Sequence, residues 1–269
     1  MRRLPPTLAV LLLAACVPQP VLWDAEVDRL PGALADSARL EFDRALVPRY
    51  GFAWAPPSWP AEASQCTATL RAAIAPNGTA YASWFTVRND SSVVLRVARS
   101  DDRGLHWLGA VTADATDVGR AGCARNAPFV SVDSLNDYVH VVYHLVAREG
   151  AGIFFAHSMD GGALFHEPVP IVYGDRPSAS SVASIGDTVI VAYEDPNSRS
   201  PRLGLAISFT QGHIFATRTD ASDETGEART PRVVVRGGRV AVAWTVTQQG
   251  GGAPRTALRL GTLQPSAVR

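Results

Sequence analysis

The chain has 269 residues, of which 46% are hydrophobic and 19% are charged, and its formal net charge at pH 7 is zero. This apolar share is enough for a folded core and excludes a disordered chain, whose composition would be polar and highly charged. A neutral balance also excludes the strong basic field that attracts nucleic acid, so we expect no nucleic-acid partner.

The first sixteen residues have the pattern of an export signal. Arg2 and Arg3 form a positive start, and the apolar run over residues 8–15 is too short to span a bilayer. The run LAAC that ends at Cys16 resembles the bacterial lipobox, whose cysteine is lipidated after the leader is cleaved. The resemblance implies a signal peptide over 1–16 and a lipid anchor in the cell envelope, on the periplasmic face of the outer or inner membrane. The alternative is an ordinary secretory leader with a chance cysteine.

Residues 17–50 are interpreted as a tether or N-terminal extension with one helix over 35–45. The segment 52–60 that follows is rich in aromatic residues and proline, so we expect it to be stiff and extended. It packs against the folded domain or, with Trp54 and Trp59, forms a docking surface for a protein partner.

Three later segments align without gaps, about 50 residues apart, which indicates an internal repeat. Each reads Ser-x-Asp-x-Gly-x-x-aromatic, except that Thr210 replaces the aspartate in the third, which predicts a looser turn there. The motif residues are Ser100, Asp102, Gly104, Trp107, Ser158, Asp160, Gly162, Phe165, Ser208, Gly212 and Phe215.

Each motif follows a strand-like run, and another strand lies upstream of that run, with a hairpin signal such as Asn77-Gly78 or Gly186-Asp187 before it. The pattern predicts four antiparallel units of three or four strands, over 66–112, 123–172, 174–222 and 228–265. One such sheet cannot bury both faces alone, so the units are expected to pack radially.

The repeated motif resembles the Asp-box, or BNR repeat, of sialidases and of many non-enzymatic β-propellers. The resemblance implies an all-β fold over 51–269: a small β-propeller of about four antiparallel blades, or five if 17–50 contributes one. The motif residues are then structural, because their polar side chains bond the turn and their aromatic rings pack between sheets. The fourth unit lacks an outer strand, which residues 51–55 are predicted to supply.

In such a propeller Cys66 and Cys123 precede equivalent strands of adjacent blades. Equivalent points of adjacent blades are neighbours, and an exported chain meets an oxidising compartment, so a disulfide is predicted. Two buried free thiols are the alternative.

The sialidase family also needs an arginine triad, a Tyr–Glu pair and an acidic residue, and its Arg-Ile-Pro motif is absent here. The nearest string, Arg229-Thr230-Pro231-Arg232 beside Glu227, is interpreted as chance, so no catalytic residue and no cofactor are predicted. His140 and His144 share one strand face but lack a spaced partner ligand, so no metal site is predicted. The remaining histidines in or beside the motifs are interpreted as incidental; they are His106, His166 and His213.

The favoured function is a non-catalytic, lipid-anchored propeller that serves as a binding, scaffold or accessory subunit of an envelope membrane protein complex. The alternative is a carbohydrate-binding protein or a sialidase-like glycoside hydrolase of the envelope, with a glycan as ligand. Exposed tryptophans with carboxylates around a central channel would favour the glycan, and an exposed apolar patch would favour the protein partner.

Overall fold

A computed structural model describes residues 19–24, 28–34, 65–222, 226–248 and 252–264. These residues form β-strands and one 3-10 turn at Thr67–Thr69, with no α-helix among them, so the predicted all-β class is confirmed. The strands are β1 (Val21–Trp23), β2 (Asp28–Pro31), β3 (Arg71–Ile74), β4 (Ala80–Val87), β5 (Val93–Ser100), β6 (Val111–Asp114), β7 (Phe129–Val132), β8 (Val139–Ala147), β9 (Gly150–Ser158), β10 (Val169–Tyr173), β11 (Ser180–Ile185), β12 (Thr188–Glu194), β13 (Leu203–Ser208), β14 (Thr217–Asp220), β15 (Glu227–Arg236), β16 (Arg239–Thr247) and β17 (Arg255–Leu263). Within the described ranges, no helix is long and apolar enough to span a membrane.

The strands form four antiparallel sheets, each a meander of consecutive strands. The first sheet is β3–β4–β5–β6, the second is β7–β8–β9–β10, and the third is β11–β12–β13–β14. The fourth contains β15, β16 and β17, and its outer strands β1 and β2 both pair with β17. The four predicted units therefore correspond to four sheets.

The fourth sheet receives its outer strands from residues 21–23 and 28–31, within the segment interpreted as a tether or extension. The predicted helix over 35–45 and the predicted closing strand over 51–55 lie outside the described residues.

Apolar side chains fill the spaces between consecutive sheets. Phe85 and Tyr143 belong to the core between the first and second sheets, and Ile190 and Trp244 to that between the third and fourth. Complete burial of a large apolar side chain stabilises the fold by about 1.5–3 kcal/mol, so these layers hold the sheets face to face. The arrangement is propeller-like, and the number of blades remains a prediction.

A disulfide joins Cys66 and Cys123, with their Cα atoms 5.2 Å apart, as predicted. Cys66 lies just before the first sheet, and Cys123 lies on the loop that leads into the second. The bond therefore links neighbouring sheets.

The three repeat turns, residues 100–107, 158–165 and 208–215, share one hydrogen-bond pattern. In the first, Ser100 Oγ accepts the Gly104 N–H at 2.7 Å and donates to Asp102 Oδ1 at 2.8 Å. In the third, Thr210 Oγ1 accepts the Ile214 N–H at 3.0 Å, but it lies 3.2 Å from Ser208 Oγ. The contact between Ser208 and Thr210 is thus longer than the serine–aspartate bonds of 2.8 and 2.7 Å in the first two turns, whereas the Ile214 bond equals the 3.0 Å of the Leu164 N–H bond to Asp160 in the second.

Candidate functional site

The repeat turns lie together at one edge of the sheets, here called the turn edge. Strands β5, β9 and β13 each end at the serine of a repeat turn. Arg99 Nη1 and Tyr81 Oη of the first sheet both donate to the carbonyl oxygen of Gly161 in the second turn, at 3.1 and 3.3 Å. The edge at which β5, β9 and β13 begin is called the opposite edge.

A groove of about 560 Å³ opens at the opposite edge, between the first and second sheets. Its walls carry charged side chains of both signs, and its volume is in the range of small-ligand sites. The residues that line it are Arg88, Asp90, Ala115, Thr116, Asp117, Val118, Arg120, Arg148 and Glu149.

The buried carboxylate of Asp117 holds the two walls of this groove together. It accepts the backbone N–H of Val93 in the first sheet at 2.9 Å and that of Val146 in the second at 3.0 Å. It also pairs with the guanidinium of Arg125 at 2.7 Å, and both side chains are almost fully buried. A buried charge needs this degree of compensation, so Asp117 is a structural link beneath the groove.

Arg88 is fixed in the groove wall, where its Nη2 donates to the Ala115 carbonyl oxygen at 2.7 Å. Arg120, Arg148 and Glu149 are exposed. Within the described residues, no hydrogen bond or ion pair holds the guanidinium of Arg120 or Arg148. Free guanidinium groups bind carboxylates and phosphates in a bidentate manner, so the groove can bind an anionic ligand.

A second polar cluster at the opposite edge surrounds Glu194, at the end of β12. Its Oε1 accepts the Thr230 N–H at 2.7 Å, and burial raises the pKa of this carboxyl above its ordinary value. Thr230 has a φ of 51°, and the β15–β16 pairing shifts register there. Bulges, positive φ and shifted pKa values are common near functional sites, so this cluster is a candidate rim of a binding surface.

The string 229–232 lies in this second cluster. Arg229 pairs with Glu227 at 3.1 Å, and the Arg232 guanidinium lies 5.2 Å from the ring centroid of Phe129 in the second sheet. The structure thus brings Glu227, Arg229 and Glu194 to one edge, although no role is predicted for them from the sequence.

Tyr143 and Asp114 form a buried pair, in which the tyrosine hydroxyl donates to Asp114 Oδ2 at 2.6 Å. Burial and the adjacent carboxylate raise the pKa of Tyr143 well above its ordinary value. A fully buried hydroxyl with a raised pKa is a poor nucleophile, so the pair is structural.

Three histidines that the sequence did not connect lie together at the turn edge. Each of His157, His166 and His213 offers a ring nitrogen, and these nitrogens all lie within 4.8 Å of one another. His157 is buried near the end of β9, while the exposed His166 directly follows the second turn and the exposed His213 lies on the third turn. Burial, with the two neighbouring imidazoles, lowers the pKa of His157 to about 4, so its ring is neutral at pH 7.

His140 and His144, which share one strand face and for which no metal site is predicted, do not meet in the structure, because they lie four residues apart on β8, about 13 Å along a strand. Instead, His140 accompanies the three-histidine cluster, with its ring centroid 6.4 Å from that of His157. His106 pairs with Asp102 within the first turn at 2.6 Å.

The cluster has a sequence signal that was missed. His157 immediately precedes the motif serine of one repeat, and His213 lies inside the motif of the next. Consecutive turns are neighbours in space, so histidines in consecutive motifs are candidates for contact. The groove has no such signal, since its arginines belong to no repeated pattern.

The remaining predicted site residues, Cys16, Trp54 and Trp59, lie outside the described residues. The described tryptophans do not form an exposed cluster: Trp84, Trp107 and Trp244 are buried, and Trp23 is half-buried.

No protein-family model matches the chain. No curated protein matches it either. Among solved structures, a protein of unknown function from Dyadobacter fermentans DSM 18053 is similar with a TM-score of 0.53 and 18% identity, over 72% of this chain and 52% of that chain. A Hadza microbial sialidase is similar with a TM-score of 0.51 and 17% identity, over 74% of this chain and 46% of that chain.

This chain therefore spans about half the length of the two solved structures. At these identities the likeness shows the fold alone. It supports the expected resemblance to sialidase-type propellers at the level of the sheets.

Proposed function

We propose that this chain is an exported, lipid-anchored propeller that binds acidic carbohydrate in the groove between its first and second sheets. The sequence alone favours a scaffold or accessory subunit, with a carbohydrate-binding protein or a sialidase-like glycoside hydrolase as the alternative. The alternative now has better support, because the groove has a suitable size and charge and the fold is shared with a sialidase.

The observation that carries the proposal is the pair of exposed guanidinium groups of Arg120 and Arg148 over a rigid floor. Asp117 and the Cys66–Cys123 disulfide fix both walls, so little ordering cost remains when a ligand binds. Arginine forks match sugar carboxylates, while Asp90 and Glu149 provide acceptors for sugar hydroxyls. The proposal is limited to binding and assigns no catalytic residue.

The test is calorimetric titration of the purified full chain with carboxylate-bearing oligosaccharides and with neutral ones of equal length. We expect binding of the acidic sugars only. The double variant Arg120→Gln, Arg148→Gln should weaken it at least tenfold, because each lost charge-assisted bond contributes about 1.5–3 kcal/mol.

Arg103→Gln is the matched control, since Arg103 is exposed on the first turn at the turn edge. Binding that is equal for acidic and neutral sugars, or equal in the double variant and the control, would refute the groove as the site.

A second candidate function, docking of a protein partner, has its own observation. Three exposed apolar side chains share one face of the fourth sheet: Leu22, Val234 and Leu260. Val234 and Leu260 both lie opposite Ala241, and Leu22 lies opposite the residue two positions after Leu260 on β17, so all three are on the same side. Val234 is 61% exposed and Leu22 is 63% exposed, so this is the apolar patch that favours a protein partner.

The second candidate is tested by purifying the full chain from gently solubilised native membranes. A stoichiometric partner that is lost with Val234→Asp and kept with Leu135→Asp would support it; Leu135 is an exposed leucine of the β7–β8 hairpin. A chain that purifies alone, or a partner that both variants keep, would count against it.

The proposed anchor at Cys16 rests on the lipobox pattern. Cys16→Ala should release the chain from the membrane fraction, and mass spectrometry of the wild-type N-terminus should find acyl chains on Cys16. A soluble, unmodified wild-type chain would remove the anchor from the proposal.

A further inference from the structure

We propose that His157, His166 and His213 form a binding site for a divalent transition-metal ion, with Zn²⁺ the ion to test first. The site lies at the turn edge between the second and third sheets, away from the groove. It is therefore independent of the proposed carbohydrate binding.

The three imidazoles come from separate parts of the chain and meet in a small volume. The ring centroid of His157 lies 4.5 Å from that of His166 and 4.7 Å from that of His213. Around a tetrahedral zinc the ligand nitrogens lie about 3.3–3.4 Å apart, because each Zn–N bond is about 2.0–2.1 Å. The ligand nitrogens here lie within 4.8 Å of one another, so small rotations of the two exposed rings would close the site.

The buried member of the cluster needs a partner. His157 is 1% exposed, and neither of its ring nitrogens has a hydrogen-bond partner in the described part of the chain. Buried polar atoms are nearly always satisfied, because an unsatisfied one costs free energy. A metal ion bound to one ring nitrogen would satisfy that atom.

The tautomer of His213 also suits a metal ligand. Its Nδ1 lies 2.7 Å from the carbonyl oxygen of Thr210. A carbonyl oxygen only accepts, so Nδ1 carries the proton and the lone pair of Nε2 is available. Metal-binding histidines characteristically donate their second ring N–H in this manner.

The donor set selects the class of metal. Three imidazole ligands suit Zn²⁺, Cu²⁺, Ni²⁺ and Co²⁺ rather than Mg²⁺ and Ca²⁺, which prefer oxygen ligands. Because His166 and His213 are exposed, a fourth position remains for water or another ligand. A bound ion would join β9 and the residue that follows the second turn to the third turn, and so connect two sheets.

The first test uses the untagged full chain, treated with chelator and dialysed. We expect isothermal titration to show one Zn²⁺ per chain. Saturating Zn²⁺ should raise the melting temperature by about 5 °C or more, as ligand linkage predicts at a hundredfold excess over Kd. Co²⁺ should give the visible absorption of a four-coordinate site.

Because His166 and His213 are exposed, their substitution is expected to leave folding unaffected. His166→Gln and His213→Gln should each lower Zn²⁺ affinity at least tenfold and remove the Co²⁺ spectrum, with the melting temperature of the metal-free protein unchanged. His106→Gln is the matched control, because His106 is exposed on the first turn and outside the cluster.

Two results would overturn the proposal: a wild-type chain that binds no stoichiometric Zn²⁺, or a His166→Gln, His213→Gln double variant that binds it as well as the His106→Gln control. Neither result depends on carbohydrate binding, so the two proposals fail separately.

Discussion

Two neighbouring interfaces between sheets are built on the same backbone and closed by different side chains. At the first interface, between the first and second sheets, Arg99 precedes the motif serine and donates to the Gly161 carbonyl oxygen of the next turn. At the second interface, between the second and third sheets, His157 is in the equivalent position and meets His213 of the next turn.

The two interfaces differ in the hydrogen-bond partners available to the residue before the motif serine. Arg99 is satisfied, since it also pairs with Asp101 at 2.6 Å. His157 has only imidazoles at hand for its ring nitrogens in the described chain. The repeat motif thus specifies the turn. The residue before the motif serine determines whether the interface contains a hydrogen bond between protein groups, as with Arg99, or polar atoms without a protein partner, as with His157.

The largest effect is expected from breaking the first interface at its opposite edge. Asp117→Ala should lower the free energy of unfolding by about 3–5 kcal/mol, because it leaves the buried Arg125 guanidinium unpaired. Urea denaturation measures this loss. Asp101→Ala is the control, since the more exposed Arg99–Asp101 pair should contribute less than about 1 kcal/mol. Equal losses would mean that Asp117 does not link the sheets.

The disulfide of the first interface should rank next. Replacing Cys66 and Cys123 together by alanine should cost about 2–4 kcal/mol, because the bond closes a loop between residues 57 apart and restricts the unfolded chain. Urea denaturation with and without reductant checks it. A wild-type chain that reductant does not destabilise would contradict the expectation.

A pair of glycine substitutions compares the two interfaces directly. A Cβ on Gly212 would overlap the ring of Phe155, a rigid neighbour at the second interface. A Cβ on Gly161 would meet the terminal nitrogen of the flexible Arg99 side chain at the first. Both positions have positive φ. We expect Gly212→Ala to cost about 2–4 kcal/mol and Gly161→Ala about 1 kcal/mol. The reverse order in thermal unfolding would refute this packing.

A smaller, pH-dependent effect on the free energy of unfolding is expected from Glu194, between the third and fourth sheets. Burial raises its pKa above the ordinary 4.5, so the folded chain binds the proton more tightly than the unfolded chain. Its contribution to stability is therefore present at low pH and lost as the pH rises through the folded pKa.

Glu194→Gln removes this titration and retains an oxygen that can accept from Thr230. We expect the variant to gain stability over the wild type as the pH rises from 4.5 toward neutrality, measured by urea denaturation across that range. Parallel pH profiles of the two proteins would show that Glu194 titrates normally.

Much of the fold was predictable because the repeats encode it locally. Alternating apolar runs, hairpin pairs such as Asn77-Gly78 and the motif serines specify the strands and turns of the first three sheets. The disulfide could be predicted because Cys66 and Cys123 precede equivalent strands of adjacent units. The outer strand β1 was not predicted, because its three residues form a strand only by pairing with β17 at the other end of the described chain.

The candidate sites were less predictable for a related reason. The groove depends on Asp117 accepting backbone N–H groups from two sheets, and no motif marks such a residue. The histidine cluster depends on the distance between consecutive turns, which a sequence gives only after the sheets have been stacked.

The most direct test of the proposed function is a crystal structure of the full chain with the tightest-binding acidic oligosaccharide. The account predicts the sugar in the groove between the first and second sheets, with its carboxylate on the guanidinium of Arg120 or Arg148. A sugar bound elsewhere, or a groove that holds no sugar at saturating concentration, would contradict it.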